Sequence, residues 1–230
     1  GQGFVGDAVY QKLKKFYTVL TYDINPELCN STFEEVLNKC SIIYTCLPTP
    51  MNKDGSCNVE ILDSVISEID KRVKDVIVVN KSTVSPGTTD LLNEKYKSIN
   101  IVFNPEFLTE RNAVNDFNNQ TRIILGGPRP ASGKIKSIYS NVFPGIHIVK
   151  TGAKHAEMVK YITNCFLAIK VSFANEFYQL CNELELDYDK VIEYATLDKR
   201  LGKSHWAVPG PDGDFGFGGH CLPKDLSAII

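Results

Sequence analysis

Gly1-Gln2-Gly3-Phe4-Val5-Gly6, followed 17 residues later by Asp23, is the stretch on which the reading of the fold turns. A G-x-G-x-x-G turn lets the backbone reverse sharply, come close to a pyrophosphate, and pack the following helix tightly against a sheet. The amide groups at the start of that helix then face the phosphates. Asp23 ends a predicted strand at Thr18–Asp23 and stands near the roughly 20-residue spacing of the carboxylate that binds the ribose hydroxyls of a dinucleotide. A carboxylate there repels a 2'-phosphate, so the pattern favours NAD over NADP. Asp23 also reads as a strand-end turn before Asn25-Pro26. Gly1, Gly3, Phe4, Val5, Gly6 and Asp23 are the candidate cofactor residues on this stretch.

Working outward, short β-branched runs alternate with helical patterns as far as Val149, which predicts an α/β fold with a Rossmann-like, doubly wound parallel sheet. Strands are expected at Thr18–Asp23, Ser41–Cys46, Val76–Asn80, Ile101–Phe103, Thr121–Leu125 and His147–Val149, with helices starting near Gly6, Thr32, Val59, Pro86 and Ala131. Ser31 with Glu34 reads as a capping box, Asn58 as a cap for the third helix, and Ser85-Pro86 as a cap followed by a first-turn proline. After Val149 the alternation stops. Ala153 to about Leu184 reads as one helix spanning about 45 Å at 1.5 Å per residue, long enough to begin a helical second domain or a subunit interface. A shorter helix follows at Tyr188–Ala195, then a Gly- and Pro-rich loop from Leu197 to His220. The expected domains are 1–149, binding dinucleotide, and 150–230, a central helical domain.

The 230 residues are 43% hydrophobic and 23% charged, enough apolar material for a sizeable core. A net charge of -2 without a Lys/Arg run gives no reason to expect a nucleic acid or an acidic membrane as partner. Neither a leader nor an apolar run of about 18 residues is present, so a cytoplasmic location is the default expectation. Seven scattered cysteines, never paired as C-x-x-C, predict neither a metal site nor a disulfide framework. The chain opens on the glycine turn without a Met or a preceding strand and stops just inside a helical pattern, so it reads as an internal fragment.

Pro48-Thr49-Pro50 and Ser82-Thr83 each follow a predicted strand, where ligands bind in such sheets; solvated loops are the alternative. The most informative segment is Gly216-Phe-Gly-Gly-His-Cys-Leu-Pro-Lys-Asp225. Gly218 and Gly219 permit close approach ahead of Cys221, and Pro223 suits the first turn of a helix. A cysteine at a helix start beside Lys224 is favoured as thiolate, hence as a nucleophile. The other six cysteines read as small buried hydrophobes. Lys160 and Asn164, four apart, share a face of the long helix: Lys160 can steady an alkoxide and Asn164 can orient a hydroxyl, or both can be a solvated face. Asn104-Pro-Glu-Phe-Leu-Thr-Glu110 places Glu106 and Glu110 in a loop after a strand, for proton transfer if buried and as ordinary surface carboxylates if not.

Together Gly-Gln-Gly-Phe-Val-Gly at 1–6, Leu-Pro-Thr-Pro at 47–50, Lys-Ser-Thr-Val-Ser-Pro-Gly-Thr-Thr at 81–89, the 104–110 loop, Val-Lys-Tyr-Ile-Thr-Asn at 159–164 and the 216–225 segment resemble the UDP-glucose/GDP-mannose dehydrogenase family over essentially the whole chain. The resemblance implies an NAD-dependent enzyme that oxidises a sugar's primary alcohol to a carboxylate through a covalent intermediate on Cys221. It further implies a long helix used for homodimerisation and a C-terminal domain completing the nucleotide site. Carried over, it makes Lys160, Asn164 and Asp225 the polar partners of Cys221, with Thr83 and Glu110 completing the catalytic set. Pro48, Thr49, Thr83 and Glu110 join the cofactor residues, and Glu106, Phe107, Leu108, Lys160, Asn164, Phe215 and Gly218 the substrate residues. The loop Leu201–Gly213 looks like the UDP-glucose branch, ahead of GDP-mannose or UDP-N-acetylhexosamines. Thr109-Glu110-Arg111 departs from the family's usual Arg-Glu-Gly. A single-oxidation β-hydroxyacid dehydrogenase and a non-catalytic NAD-binding or dimerisation piece are the rival readings.

Overall fold

The continuous apolar runs at 77–79, 101–103 and 123–125 call for cover on both faces of the sheet, and the computed structural model, which describes residues 1–229, supplies it. Five strands lie in the order β1 (Ile42–Thr45), β2 (Ile77–Asn80), β3 (Asn100–Phe103), β4 (Arg122–Gly126) and β5 (His147–Thr151). On one face Val78, Ile101 and Phe103 pack with Val36 and Leu37 of α2 (Phe33–Lys39), Leu62, Ile66 and Ile69 of α3 (Glu60–Arg72), and Leu92 of α4 (Thr88–Lys95). On the other, Ile77, Val79 and Val102 pack with Ala8, Val9 and Leu13 of α1 (Phe4–Leu13), Phe117 of α5 (Ala113–Asn118), and Ile135, Tyr139 and Val142 of α6 (Arg129–Val142). Each such aliphatic side chain contributes about 1.5–3 kcal/mol by leaving water.

The sheet departs from expectation in two places. It is not wholly parallel: β1, β2 and β3 run parallel, as do β4 and β5, but β4 meets β3 antiparallel, paired at Phe103 and Gly126. A parallel crossover needs an element that carries the chain back along the sheet. The helix available, α5, has six residues, about 9 Å at 1.5 Å per residue. The predicted strand Thr18–Asp23 makes no ladder. Its backbone is taken up locally: Thr21 N–H donates to Asn30 Oδ1 at 2.7 Å, the Thr21 carbonyl accepts from the Asn30 and Ser31 amides, and Asp23 N–H points to Cys29 Sγ at 3.0 Å.

Helix starts also shift. The capping box is Thr32 with Glu35, not Ser31 with Glu34, because the Ser31 hydroxyl is already donating to the Thr21 carbonyl. Asn58 Oδ1 accepts the Glu60 amide at the start of α3. α4 begins at Thr88 rather than Pro86, after Gly87 at φ +104°, and Ser85 gives it no side-chain cap. Its cap comes instead from Glu157, a fully buried carboxylate that accepts the Gly87 amide at 2.6 Å and the Thr89 amide at 2.8 Å. Glu157→Ala therefore leaves two amides without an acceptor, at about 1–3 kcal/mol for each one buried. Denaturant unfolding is expected to show a loss of at least about 2 kcal/mol, with Glu157→Gln, which keeps one acceptor, losing less; unchanged stability would contradict this role.

The chain forms two compact units, one of residues 1–50 and 57–160, the other of 51–56 and 161–230. α7 (Ala153–Glu183), 31 residues long, runs through both. The second unit adds α8 (Tyr188–Ala195) and α9 (Leu222–Ser227). Its core gathers Ala174, Cys181, Tyr188, Trp206 and Val208. The 197–220 loop is tied to this core: Tyr188 Oη donates to the Trp206 carbonyl at 2.7 Å, and Lys170 Nζ donates to the Leu201 carbonyl at 2.8 Å while lying over the Trp206 ring. Cys181 is the one buried cysteine; Cys29, Cys40, Cys46, Cys57 and Cys165 are half-buried, so the reading of six buried thiols holds for one. No helix among the described residues is long and apolar enough to cross a membrane.

Candidate active site

The glycine turn is built by close approach. A Cβ on Gly1 would collide with the Cys46 carbonyl and one on Gly6 with the Gly1 carbonyl, whereas one on Gly3 would meet no protein atom. The first and last glycines are thus required by packing, whereas open space surrounds the Cα of the middle one. Asp23 joins the turn directly, accepting the Gln2 amide at 2.5 Å and the Asn25 amide at 3.0 Å. These hydrogen bonds, Asn25 first and Gln2 next, hold its carboxyl below the usual range. The carboxylate thus ties the local turn at Asn25 to the glycine turn at Gln2. Phe4 and Gly3 are exposed and Val5 is half-buried. Phe4 and Asp7 line a shallow hollow with Glu110, Arg111 and Asn115, and Glu110 is an exposed residue of a single 3-10 turn.

At the carboxyl ends of β1 and β2 two loops are joined. Thr49, buried, donates to the Thr83 carbonyl at 2.7 Å, and the Leu47 amide donates to Ser82 Oγ at 2.9 Å. Pro48 stays exposed and Thr83 half-buried.

Glu106 is buried, and a group missed in the sequence surrounds it. Lys81 Nζ lies 2.6 Å from Glu106 Oε2 and donates to Asn104 Oδ1 at 2.8 Å. Tyr139 Oη donates to the same Asn104 oxygen at 2.7 Å. The Phe107 amide donates to Glu106 Oε1 at 3.0 Å, and Lys160 Nζ, also buried, donates to the Glu106 carbonyl at 2.5 Å. The available signal was a lysine placed directly after β2, a strand buried at every position. Phe107 lies under Lys160, ring centroid 5.3 Å from Nζ, and packs on the α2–α4 face, while Leu108 packs on the α1–α6 face.

In the second unit Asn164 Nδ2 donates to Asp225 Oδ2 at 2.5 Å, both side chains being buried, and Lys224 is ion-paired with the other oxygen of Asp225. Lys224 is therefore engaged by Asp225. Cys221 is exposed and stands immediately ahead of α9, one helical turn before Asp225. Gly218 is exposed, and a Cβ there would press on Asp212 Oδ2. Phe215 is also exposed and leans on Tyr178, and the next amide, Gly216, donates to Asn175 Oδ1 at 3.0 Å. Chemically, the first unit offers a desolvated ammonium able to donate to an oxyanion. The second offers an accessible thiol with a buried carboxylate and amide on the same short helix and its neighbour.

Residues 9–143 match the NAD binding domain of the UDP-glucose/GDP-mannose dehydrogenase family, and residues 154–230 match its central domain. The UDP-glucose 6-dehydrogenase YwqF of Bacillus subtilis is 36% identical over 210 residues, covering 87% of this chain and 46% of the relative. The UDP-glucose 6-dehydrogenase of Rickettsia bellii is 35% identical over 206 residues, covering 86% and 46%. Among solved structures, a UDP-glucose dehydrogenase from Pyrobaculum islandicum superposes with a TM-score of 0.75 at 29% identity, over 98% of this chain and 56% of that one. The chain spans about half the length of the curated relatives it matches. With both domains matched in order on the predicted α/β fold, the chain belongs to the UDP-glucose/GDP-mannose dehydrogenase family.

Proposed function

We propose that the protein oxidises the C6 alcohol of a nucleotide sugar to the carboxylate in two successive steps, with UDP-glucose as the preferred substrate and UDP-glucuronate as the product. The observation that carries this reading is the pairing of Asn164 with Asp225 across 61 residues of sequence, on the helix turn that follows the exposed Cys221. Residues 1–149 would hold NAD, through the amides of Gly3, Phe4 and Val5, the Asp23 carboxylate, and the Pro48-Thr49 and Thr83 loops; the open space at Gly3 and the Asp23 carboxylate beside the glycine turn fit such a ligand. NAD+ bound there would accept one hydride per oxidation, so two NAD+ molecules would be used in succession, the second after the first NADH has left.

In the first oxidation a water held by Asp225 takes the hydroxyl proton, and Lys160 steadies the oxyanion as C6 becomes an aldehyde. The Cys221 sulfur then bonds to the aldehyde carbon, giving a thiohemiacetal. Its oxidation leaves a thioester. Water activated by Glu110 attacks the thioester carbon, the C–S bond breaks, and the carboxylate leaves with the thiol restored. Asn164 orients the reacting oxygen, and Thr83 completes the catalytic set. Glu106, Phe107, Leu108, Phe215 and Gly218 shape the sugar site. The preference for UDP-glucose is supported by the names of the relatives and by the Leu201–Gly213 loop. The test is to offer UDP-glucose, GDP-mannose and UDP-N-acetylhexosamines to the full-length protein with NAD+. UDP-glucose is expected to have the largest kcat/KM; a tenfold advantage for another sugar would reassign the substrate, and no NADH from any would end the proposal.

The central domain, residues 150–230, serves homodimerisation in this reading, and the protein works in the cytoplasm. Ile162, Phe166, Ile169, Phe173, Phe177 and Leu180 are all more than 40% exposed and recur every three or four residues along α7. Such a stripe is what a partner helix buries. Phe166→Asp is expected to weaken self-association on the order of 30-fold, the equivalent of about 2 kcal/mol at an interface centre. Analytical ultracentrifugation reads it, and an unchanged association constant would remove α7 from the interface.

A further inference from the structure

We propose that Lys81 is a positioning residue for Lys160 and acts through Glu106. This rests on the reading of Lys160 as the group that steadies the oxyanion. Lys81 lies directly after β2, with its side chain 1% exposed, and its Nζ is 2.6 Å from Glu106 Oε2, a side chain 8% exposed. Removing such a cation leaves a buried charge uncompensated. The same ammonium donates to Asn104 Oδ1, and Asn104 Nδ2 donates to the Ile124 carbonyl of β4 at 2.9 Å. Lys81 thus fixes the 104–107 segment at both its asparagine and its glutamate.

That segment is what Lys160 touches. Its Nζ donates to the Glu106 carbonyl at 2.5 Å and lies over the Phe107 ring, whose own amide is held by Glu106 Oε1. The Glu106 carboxylate is occupied on both oxygens, by Lys81 on one side and the Phe107 amide on the other. Its carbonyl is the part presented to Lys160. A tilt of this peptide redirects the ammonium that must meet a developing oxyanion, and a misplacement of about 1 Å can cost on the order of 100-fold in rate. Lys81 and Glu106 are 25 residues apart and sit on different strands' loops, so sequence spacing alone does not link them.

The test uses the full-length protein with UDP-glucose and NAD+, in the wild type, Lys81→Met, Glu106→Gln and the double variant. Lys81→Met is expected to lower kcat about 30-fold with both KM values within threefold. In the Glu106→Gln background the same change should cost less than threefold, because the charge it serves is gone. The double variant carries no unpaired buried charge and keeps side-chain volumes, so it guards against simple misfolding. Hydrogen–deuterium exchange supplies a readout independent of turnover: amides in 104–110 and 157–163 should exchange at least tenfold faster in Lys81→Met, with β1 and α3 unchanged. Equal kcat losses in both backgrounds, or exchange that is unchanged or faster throughout the unit, would overturn the proposal. A wild type that reduces no NAD+ with any nucleotide sugar would instead overturn the proposed activity, leaving the exchange experiment to decide Lys81.

Discussion

Cys221→Ser in the full-length protein is expected to lower carboxylate formation from the nucleotide sugar on the order of 1000-fold or more, the scale on which removal of a covalent nucleophile acts. The substitution is a single-atom change at an exposed position, so no core packing is lost and the melting temperature should hold within about 2 °C. What changes is chemical. A thiol ionises far more readily than a serine hydroxyl, and it is the thiolate that adds to a carbonyl. With serine in place the aldehyde is not captured as a thiohemiacetal, so the second oxidation has no covalent substrate. Mass spectrometry of the wild type during turnover should find a sugar adduct on the peptide holding Cys221, and none on the serine variant. Serine at Cys40, a half-buried thiol outside the proposed chemistry, should leave turnover within a factor of two. A Cys221→Ser protein that kept more than a tenth of wild-type carboxylate formation would contradict the covalent route.

Lys160→Met is expected to reduce kcat about 100- to 1000-fold, the range found when one preorganised donor to an oxyanion is lost. Methionine fills nearly the same volume, so the buried site does not collapse. The change leaves the Glu106 carbonyl without the 2.5 Å donor it has now, costing about 1–3 kcal/mol of stability. Stability and rate therefore move by separable amounts. Lys160→Arg should not restore the rate, because a planar fork cannot sit where a buried ammonium rests over the Phe107 ring. KM for both substrates should move little, since the interaction is made with charge that develops during reaction. A loss confined to KM would assign Lys160 to substrate binding alone.

Much of the fold could be read from residue pattern. The long helix and the Tyr188–Ala195 helix were visible as uninterrupted periodic stretches, and the apolar strands at 77–80 and 101–103 as short β-branched runs. Local hydrogen-bond competition defeated two expectations. Thr18–Asp23 has strand composition, but Asn30 and Ser31 take its backbone groups; Ser31 is consequently unavailable to cap α2, and Thr32 does so. The reversal of β4 depends on how far a six-residue helix carries the chain, a matter of geometry rather than composition.

In the site, sequence spacing pointed to the Lys160–Asn164 face and to the cysteine segment, because each lies within a few residues. The buried pairs escaped it. Lys81 with Glu106, Glu157 with the start of α4, and Asn164 with Asp225 join positions 25 to 70 residues apart. A lysine after a strand is solvated in most folds; the full burial of β2 and the adjoining Asn104 decide otherwise here.

The central claim is a four-electron oxidation carried on Cys221, and the most direct measurement is the stoichiometry of the full-length protein with limiting UDP-glucose and excess NAD+. Two NADH and one carboxylate per sugar consumed, without free aldehyde, is the predicted result. One NADH per sugar with the aldehyde accumulating would contradict it.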